Sequence, residues 1–121
     1  MNSSKWKPIK LKYAYHFFTG FTPNTSNVSY YSDMGYSWVQ ISDLSKKYIS
    51  STTKHITSQA LEDYHPKISP KGSLLIGFKL SLGSVSFCQM DTYTNEAIAS
   101  FPPDNVNSLD YLYYLFPCTA Q

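Results

Sequence analysis

A chain of 121 residues with 42% hydrophobic, 17% aromatic and 15% charged residues can bury one core and is too apolar to stay disordered. Ten lysines face eight carboxylates for a formal charge of +2, and arginine is absent. Contact with nucleic acid is therefore permitted, but the bidentate guanidinium fork is excluded, leaving lysine, hydroxyl and amide groups as donors.

The opening Met1-Asn2-Ser3-Ser4-Lys5-Trp6-Lys7-Pro8 has no apolar run, so neither a secretory signal nor a membrane anchor is expected, and the expected location is the cytoplasm. Ile9 to Phe18 suits a short helical turn followed by a strand. Thr19-Gly20-Phe21-Thr22-Pro23 breaks it, because glycine and proline in close company make turns. A polar loop is expected from Asn24 to Asp33. Trp38-Val39-Gln40-Ile41 after Gly35 reads as a short strand, and Ser42-Asp43 can cap a brief helical turn. A helix is expected from Thr57 or Ser58 through Tyr64, stopped by Pro66.

Ser69-Pro70-Lys71-Gly72 has the residue order of a type I turn. Ser73-Leu74-Leu75-Ile76 after it is a continuous apolar strand suited to burial on both faces; Leu74-Leu75-Ile76 is far too short to span a bilayer. Gly77 to Gly83 reads as a connection between strands. Gly83-Ser84-Val85-Ser86-Phe87 alternates, with Val85 and Phe87 on one face and serines on a solvated one. Thr94 to Phe101 reads as one further strand, ended by Pro102-Pro103. Asn107 or Ser108 then caps a helix with Leu109, Leu112, Tyr113 and Phe116 on one face, closed by Pro117. Strands and helices intermixed in this order predict an α+β (mixed α/β) fold: one domain over residues 1–121, built on a small twisted mixed sheet with short helices.

Taken in order, several spaced motifs resemble the target-recognition domain of type I restriction-modification specificity subunits. They are Thr19-Gly20-Phe21-Thr22-Pro23, Gly35 to Leu44 with Trp38-Val39 and Ser42-Asp43-Leu44, Ile56-Thr57, Pro70-Lys71-Gly72-Ser73-Leu74-Leu75, Leu82-Gly83-Ser84-Val85, and Thr94-Asn95-Glu96-Ala97-Ile98. The resemblance runs from Trp6 to Phe116. It implies sequence-specific reading of double-stranded DNA by a domain without catalytic residues, while partner methyltransferase and restriction subunits do the chemistry. The family domain ordinarily continues with further strands and a long spacer helix, so this chain is expected to be incomplete at its C-terminus and to meet those partners only if the spacer is supplied.

Candidate DNA-contacting residues follow. Lys79 and Ser81 lie in the glycine-bounded connection, where the bland alternative is a solvated hairpin; no Gly-Lys-Ser/Thr follows, so this is not a P-loop. Thr19, Gly20 and Thr22 offer hydroxyls and backbone amides, or are simply a turn. Lys46, Lys47 and Lys54 near Tyr48 are a basic patch beside an aromatic, or a solvated face. Asn95 and Glu96 occupy the last motif; Glu96 is either a reader that accepts from a cytosine amino group or a core-facing replacement. His16, His55, His65, Cys88 and Cys118 lack paired spacing, so no metal or cofactor is expected, and both cysteines are expected to be free thiols. Eleven tyrosines keep a second class open, a protein or carbohydrate interaction module, alongside an inactive remnant.

Overall fold

The computed structural model describes residues 16–79, 82–103 and 109–115. In chain order its strands are β1 (Phe18–Thr19), β2 (Tyr31–Val39), β3 (Tyr48–Ile49), β4 (Lys54–Ile56), β5 (Leu74–Lys79), β6 (Leu82–Cys88), β7 (Tyr93–Thr94) and β8 (Ile98–Phe101). The α-helices are α1 (Ser58–Tyr64) and α2 (Leu109–Leu115). The expected mixed α+β character holds, but the strands form two sheets where one was expected. One has the order β1-β8-β5-β6-β3 and the other β4-β2-β7. Each is mixed: β3 runs parallel to β6 and β7 parallel to β2, while the remaining pairs are antiparallel.

The larger sheet is covered on both faces. Leu75, Cys88 and Ile98 pack with Val39, Leu44 and Ile49 on one side. Leu74, Ile76, Phe87, Ala99 and Phe101 pack under Leu112 of α2 on the other. The apolar run at Leu74-Leu75-Ile76 is therefore buried on both faces, as its lack of alternation predicts. The serine face of β6 departs from expectation. Ser86 is buried, and its hydroxyl donates to the Lys46 carbonyl, so a loop and not solvent covers that face. Gly77 and Gly83 are ladder residues, not loop ends: Gly77 pairs with Ser84 and Phe78 with Gly83. A Cβ at Gly77 would sit 2.8 Å from Leu44 Cδ1 and 3.2 Å from Ile41 Cγ1, so these two side chains would have to shift to admit it.

Other differences have equally local causes. The second strand is Tyr31–Val39, longer than expected and ending earlier, because Ile41–Asp43 is a 3-10 turn in which Asp43 Oδ2 accepts the Gln40 amide at 2.9 Å. The turn expected at Ser69–Gly72 is displaced by one residue. The Ser73 amide donates to the Pro70 carbonyl at 3.0 Å, and Gly72 has φ +94°, the sign a type II turn places at its third residue. Ser69 is instead bridged to Thr92. The strand expected over Thr94–Phe101 is two strands in different sheets, split at Asn95–Ala97. Helix α1 has the expected start and length, and Leu109, Leu112 and Tyr113 of α2 share one apolar cluster as predicted. Expectations for Ile9 to Tyr15, Asn107, Ser108, Phe116 and Pro117 lie outside the described residues.

Candidate functional site

Two groups of candidate residues emerge, and they differ in what they can do. The first surrounds the chain crossing between the sheets. Residues Thr19 to Pro23 leave β1 and run against the end of β2 and the Thr94–Glu96 segment. The Phe21 amide donates to the Thr94 carbonyl at 2.9 Å, Trp38 Nε1 donates to the Phe21 carbonyl at 3.0 Å, and the Asn95 amide donates to the Val39 carbonyl at 3.0 Å. Tyr31 Oη adds a bond to the Pro23 carbonyl at 2.6 Å. Motifs separated by some seventy residues therefore meet, and most of their polar groups are occupied in holding the meeting point.

Within this crossing, Asn95 Oδ1 accepts the Ala97 amide at 3.0 Å, an Asx turn that redirects the chain from one sheet to the other. Glu96 is exposed and accepts from the Thr22 hydroxyl, so it is not a core-facing replacement. Its charge also acts on Tyr31, whose phenol is held above its usual ionisation range by burial first and then by Tyr64 and Glu96. Thr19 is exposed, Gly20 and Thr22 are half-buried, and Thr94 Oγ1 is buried with no hydrogen-bond partner among the described residues.

The second group is a surface band. A polar cavity of about 320 Å³ runs from Ser42 and Lys46 to Thr53, lined largely by hydroxyls. Thr53 also lines a second cavity, of about 270 Å³, with Lys54, His55, Ser32 and Asp33. Ser32 in turn borders a third, of about 360 Å³, with Met34, Tyr36 and Thr57. The shared residues make one continuous band in which Lys46 and Lys54 are both exposed. Asp43 fixes its floor, since Oδ1 accepts from the Thr53 amide and hydroxyl at 3.3 Å. The sequence singled out Lys46 and Lys54, but not the hydroxyl-lined cavities that join them. Its parts come from β2, the 3-10 turn and the segment leading into β3, the loop between β3 and β4, and β4; pairing of β2 with β4 and the Asp43–Thr53 bonds bring them together.

The remaining candidates separate from it. Lys47 lies over aromatic rings, 4.9 Å from the centroid of Tyr113 and 5.4 Å from that of Tyr48, in a stack that continues through Phe87. The backbone of Lys79 is the last residue of β5, opposite Leu82, and Ser81 lies outside the described residues. Cys88 is buried against the Pro70 carbonyl at 3.4 Å, and Cys118 lies outside the described residues. Several tyrosine hydroxyls serve as internal stitches: Tyr30 donates to Asp63 at 2.7 Å, and Tyr64 accepts the Asn24 amide at 2.9 Å. The Tyr30 bond and Gln59 together hold the Asp63 carboxyl below its usual range. Among the described residues no helix is long and apolar enough to cross a membrane.

Comparison with known proteins gives a consistent result. The family model of the type I restriction modification DNA specificity domain matches residues 3–121. The chain is 29% identical over 114 residues to the type I restriction enzyme MjaIX specificity subunit of Methanocaldococcus jannaschii, covering 92% of this chain and 26% of that protein. It is 28% identical over 95 residues to the HindI specificity subunit of Haemophilus influenzae, covering 78% of this chain and 20% of that protein. The chain thus spans about a quarter or less of the length of these relatives. Among solved structures, the HsdS subunit of Thermoanaerobacter tengcongensis shares the fold with a TM-score of 0.62 at 17% identity, over 89% of this chain and 27% of that one. A chain from a structure of the type I R-M system, concerned with complex assembly and conformational transition, matches with a TM-score of 0.66 at 21% identity, over 92% of this chain and 28% of that one.

Proposed function

The chain belongs to the family of type I restriction modification DNA specificity domains, and from that membership we propose that it reads double-stranded DNA sequence as the target-recognition part of a specificity subunit. The observation that carries the reading onto this molecule is the continuous band from Lys46 through Lys54 to the outer end of β2. Two exposed lysines set along hydroxyl-lined cavities combine the point charges that hold phosphates with donors and acceptors suited to base edges. The crossing at Gly20, Thr22, Asn95 and Glu96 has the different task of fixing the two sheets against each other, so that the band keeps its shape. The chain contributes recognition and no chemistry; methylation and cleavage fall to partner methyltransferase and restriction subunits, engaged through parts of the specificity subunit beyond this domain.

Phosphate contact by lysine makes affinity depend on salt through counterion release, with a slope of about −0.9 per neutralised phosphate. Binding of labelled duplexes by the full chain is expected to weaken steeply between about 50 and 200 mM salt. Replacing Lys46 and Lys54 together by alanine should reduce the slope by about 2 and weaken all duplexes alike. A slope near zero for the unaltered chain would contradict DNA recognition, and an unchanged slope in the double variant would remove the band from it.

A further inference from the structure

We propose that the four residues extruded from β2, Ser32 to Gly35, form a base-reading finger whose Met34 seats on the 5-methyl group of a thymine in the major groove. The inference deepens the DNA-reading assignment and rests on it. Its starting point is the register of β2 on β4: Tyr31 and Tyr36 both lie opposite Ile56, so the four residues between them leave the ladder. An extrusion of this kind re-aims side chains that a regular strand would send to alternate faces of the sheet.

The finger is held at root and tip. A Cβ at Gly35 would collide with the Ile56 carbonyl, so the returning backbone lies directly on β4. The Met34 amide donates to Ser32 Oγ at 3.2 Å, and the Tyr31 ring meets Trp38 edge-on at 6.1 Å in the core of the small sheet. Met34 is 93% exposed on this anchored support. One exposed apolar residue is ordinary in itself. Its neighbours supply the polar partners: Asp33 and Ser32 line the 270 Å³ cavity together with Lys54 and His55, and Ser32 joins that cavity to the 360 Å³ one bordered by Met34. An acceptor, donors and an apolar tip standing side by side match what a major-groove edge displays, where amino, carbonyl and methyl groups alternate. Asp33 also argues that the finger meets bases, since phosphates repel a carboxylate. An extended sulfur-containing side chain suits contact with a methyl group, whose burial contributes about fourfold in affinity.

The test uses the full chain and a duplex selected by it from a randomised pool, with each thymine replaced in turn by uracil, which lacks only the methyl. One replacement is expected to weaken the unaltered chain about fourfold and to leave Met34→Ala unaffected, the variant itself binding the thymine duplex as weakly as the unaltered chain binds the uracil one. Because Met34 touches little, the variant should melt at the same temperature. Salt-dependent selection of a sequence combined with indifference to every thymine methyl, or with a Met34→Ala variant that keeps the same sensitivity, overturns the finger and leaves DNA reading standing. A selected site without thymine does the same. An unaltered chain that selects no sequence and binds independently of salt overturns both.

Discussion

A methyl group added at Gly20 would land on the Thr94 carbonyl oxygen and crowd the Thr94 hydroxyl, with the Asn95 carbonyl close behind. These are mostly backbone atoms at the point where the chain changes sheets, and they cannot move without breaking the Phe21–Thr94 and Asn95–Val39 bonds. Gly20→Ala is therefore expected to destabilise the fold by about 1–3 kcal/mol, toward the upper end, as overpacking into an unyielding site does. A urea midpoint equal to that of the unaltered chain would mean the crossing is looser than its hydrogen bonds imply. The same contact gives Gly20, singled out for possible phosphate contact, a structural reason to be glycine. A glycine that admits a ligand and a glycine that admits a neighbouring carbonyl are identical in sequence, and only the partner distinguishes them. Glu96 is the converse case: its exposure and its bond from Thr22 were not legible, because both depend on a contact 74 positions away.

Helix α1 illustrates which elements can be read from sequence and which cannot. Its good helix formers lie between a hydroxyl residue and a proline, all local signals, and Ser58–Tyr64 emerges as expected. Yet the Thr57 hydroxyl does not cap it; it donates to the Ser29 carbonyl at 2.6 Å and ties the helix to the preceding loop. The helix ends at His65, with φ 50° and ψ 52°, in the left-handed region that glycine occupies without strain. His65→Gly should therefore raise stability by about 1 kcal/mol, less the greater backbone freedom it restores to the unfolded chain. Thermal melting tests this, and a lowered midpoint would show that the imidazole makes a contact outweighing the strain. Strands of two or three residues, such as β3 and β4, escape sequence reading. They carry too few positions for a period, and pairing with β6 and β2 creates them. The break between β7 and β8 escapes for a related reason: Asn95 turns the chain with its own side chain inside an otherwise strand-like run.

At the scale of the molecule, the two sheets are stitched at the crossing and at Ser69–Thr92, where backbone bonds of 2.8 and 2.9 Å tie the two segments. Such links predict that the sheets unfold together, and ionisable groups in each offer a way to see it. Burial pushes the Cys88 thiol above its usual 9.0 in the larger sheet. In the smaller sheet burial raises the phenols of Tyr31 and Tyr93 above 10.0, helped by Tyr64 and Glu96 for the first and Tyr36 for the second. In each case the unfolded chain loses its proton at lower pH than the folded one, so above that pH the native state binds more protons and stability falls as pH rises. The contribution of Cys88 is whole below about pH 9 and declines above it, and those of the two tyrosines decline from about pH 10, each being lost through the raised native value. Denaturant unfolding followed by far-ultraviolet circular dichroism and by tryptophan fluorescence should give one coincident transition, displaced to lower denaturant at pH 10.5 than at pH 8, roughly the span these ionisations cover. If the fluorescence of Trp38 in the small sheet, read with Trp6 replaced by phenylalanine, changed at a different denaturant concentration from the dichroism, to which both sheets contribute, the sheets would be separate cooperative units. Under the proposed DNA-reading role, separate units would leave the band around Lys46, Thr53, Lys54 and Ser32 free to change shape between DNA sites, whereas a single transition would tie its shape to the stability of the whole fold.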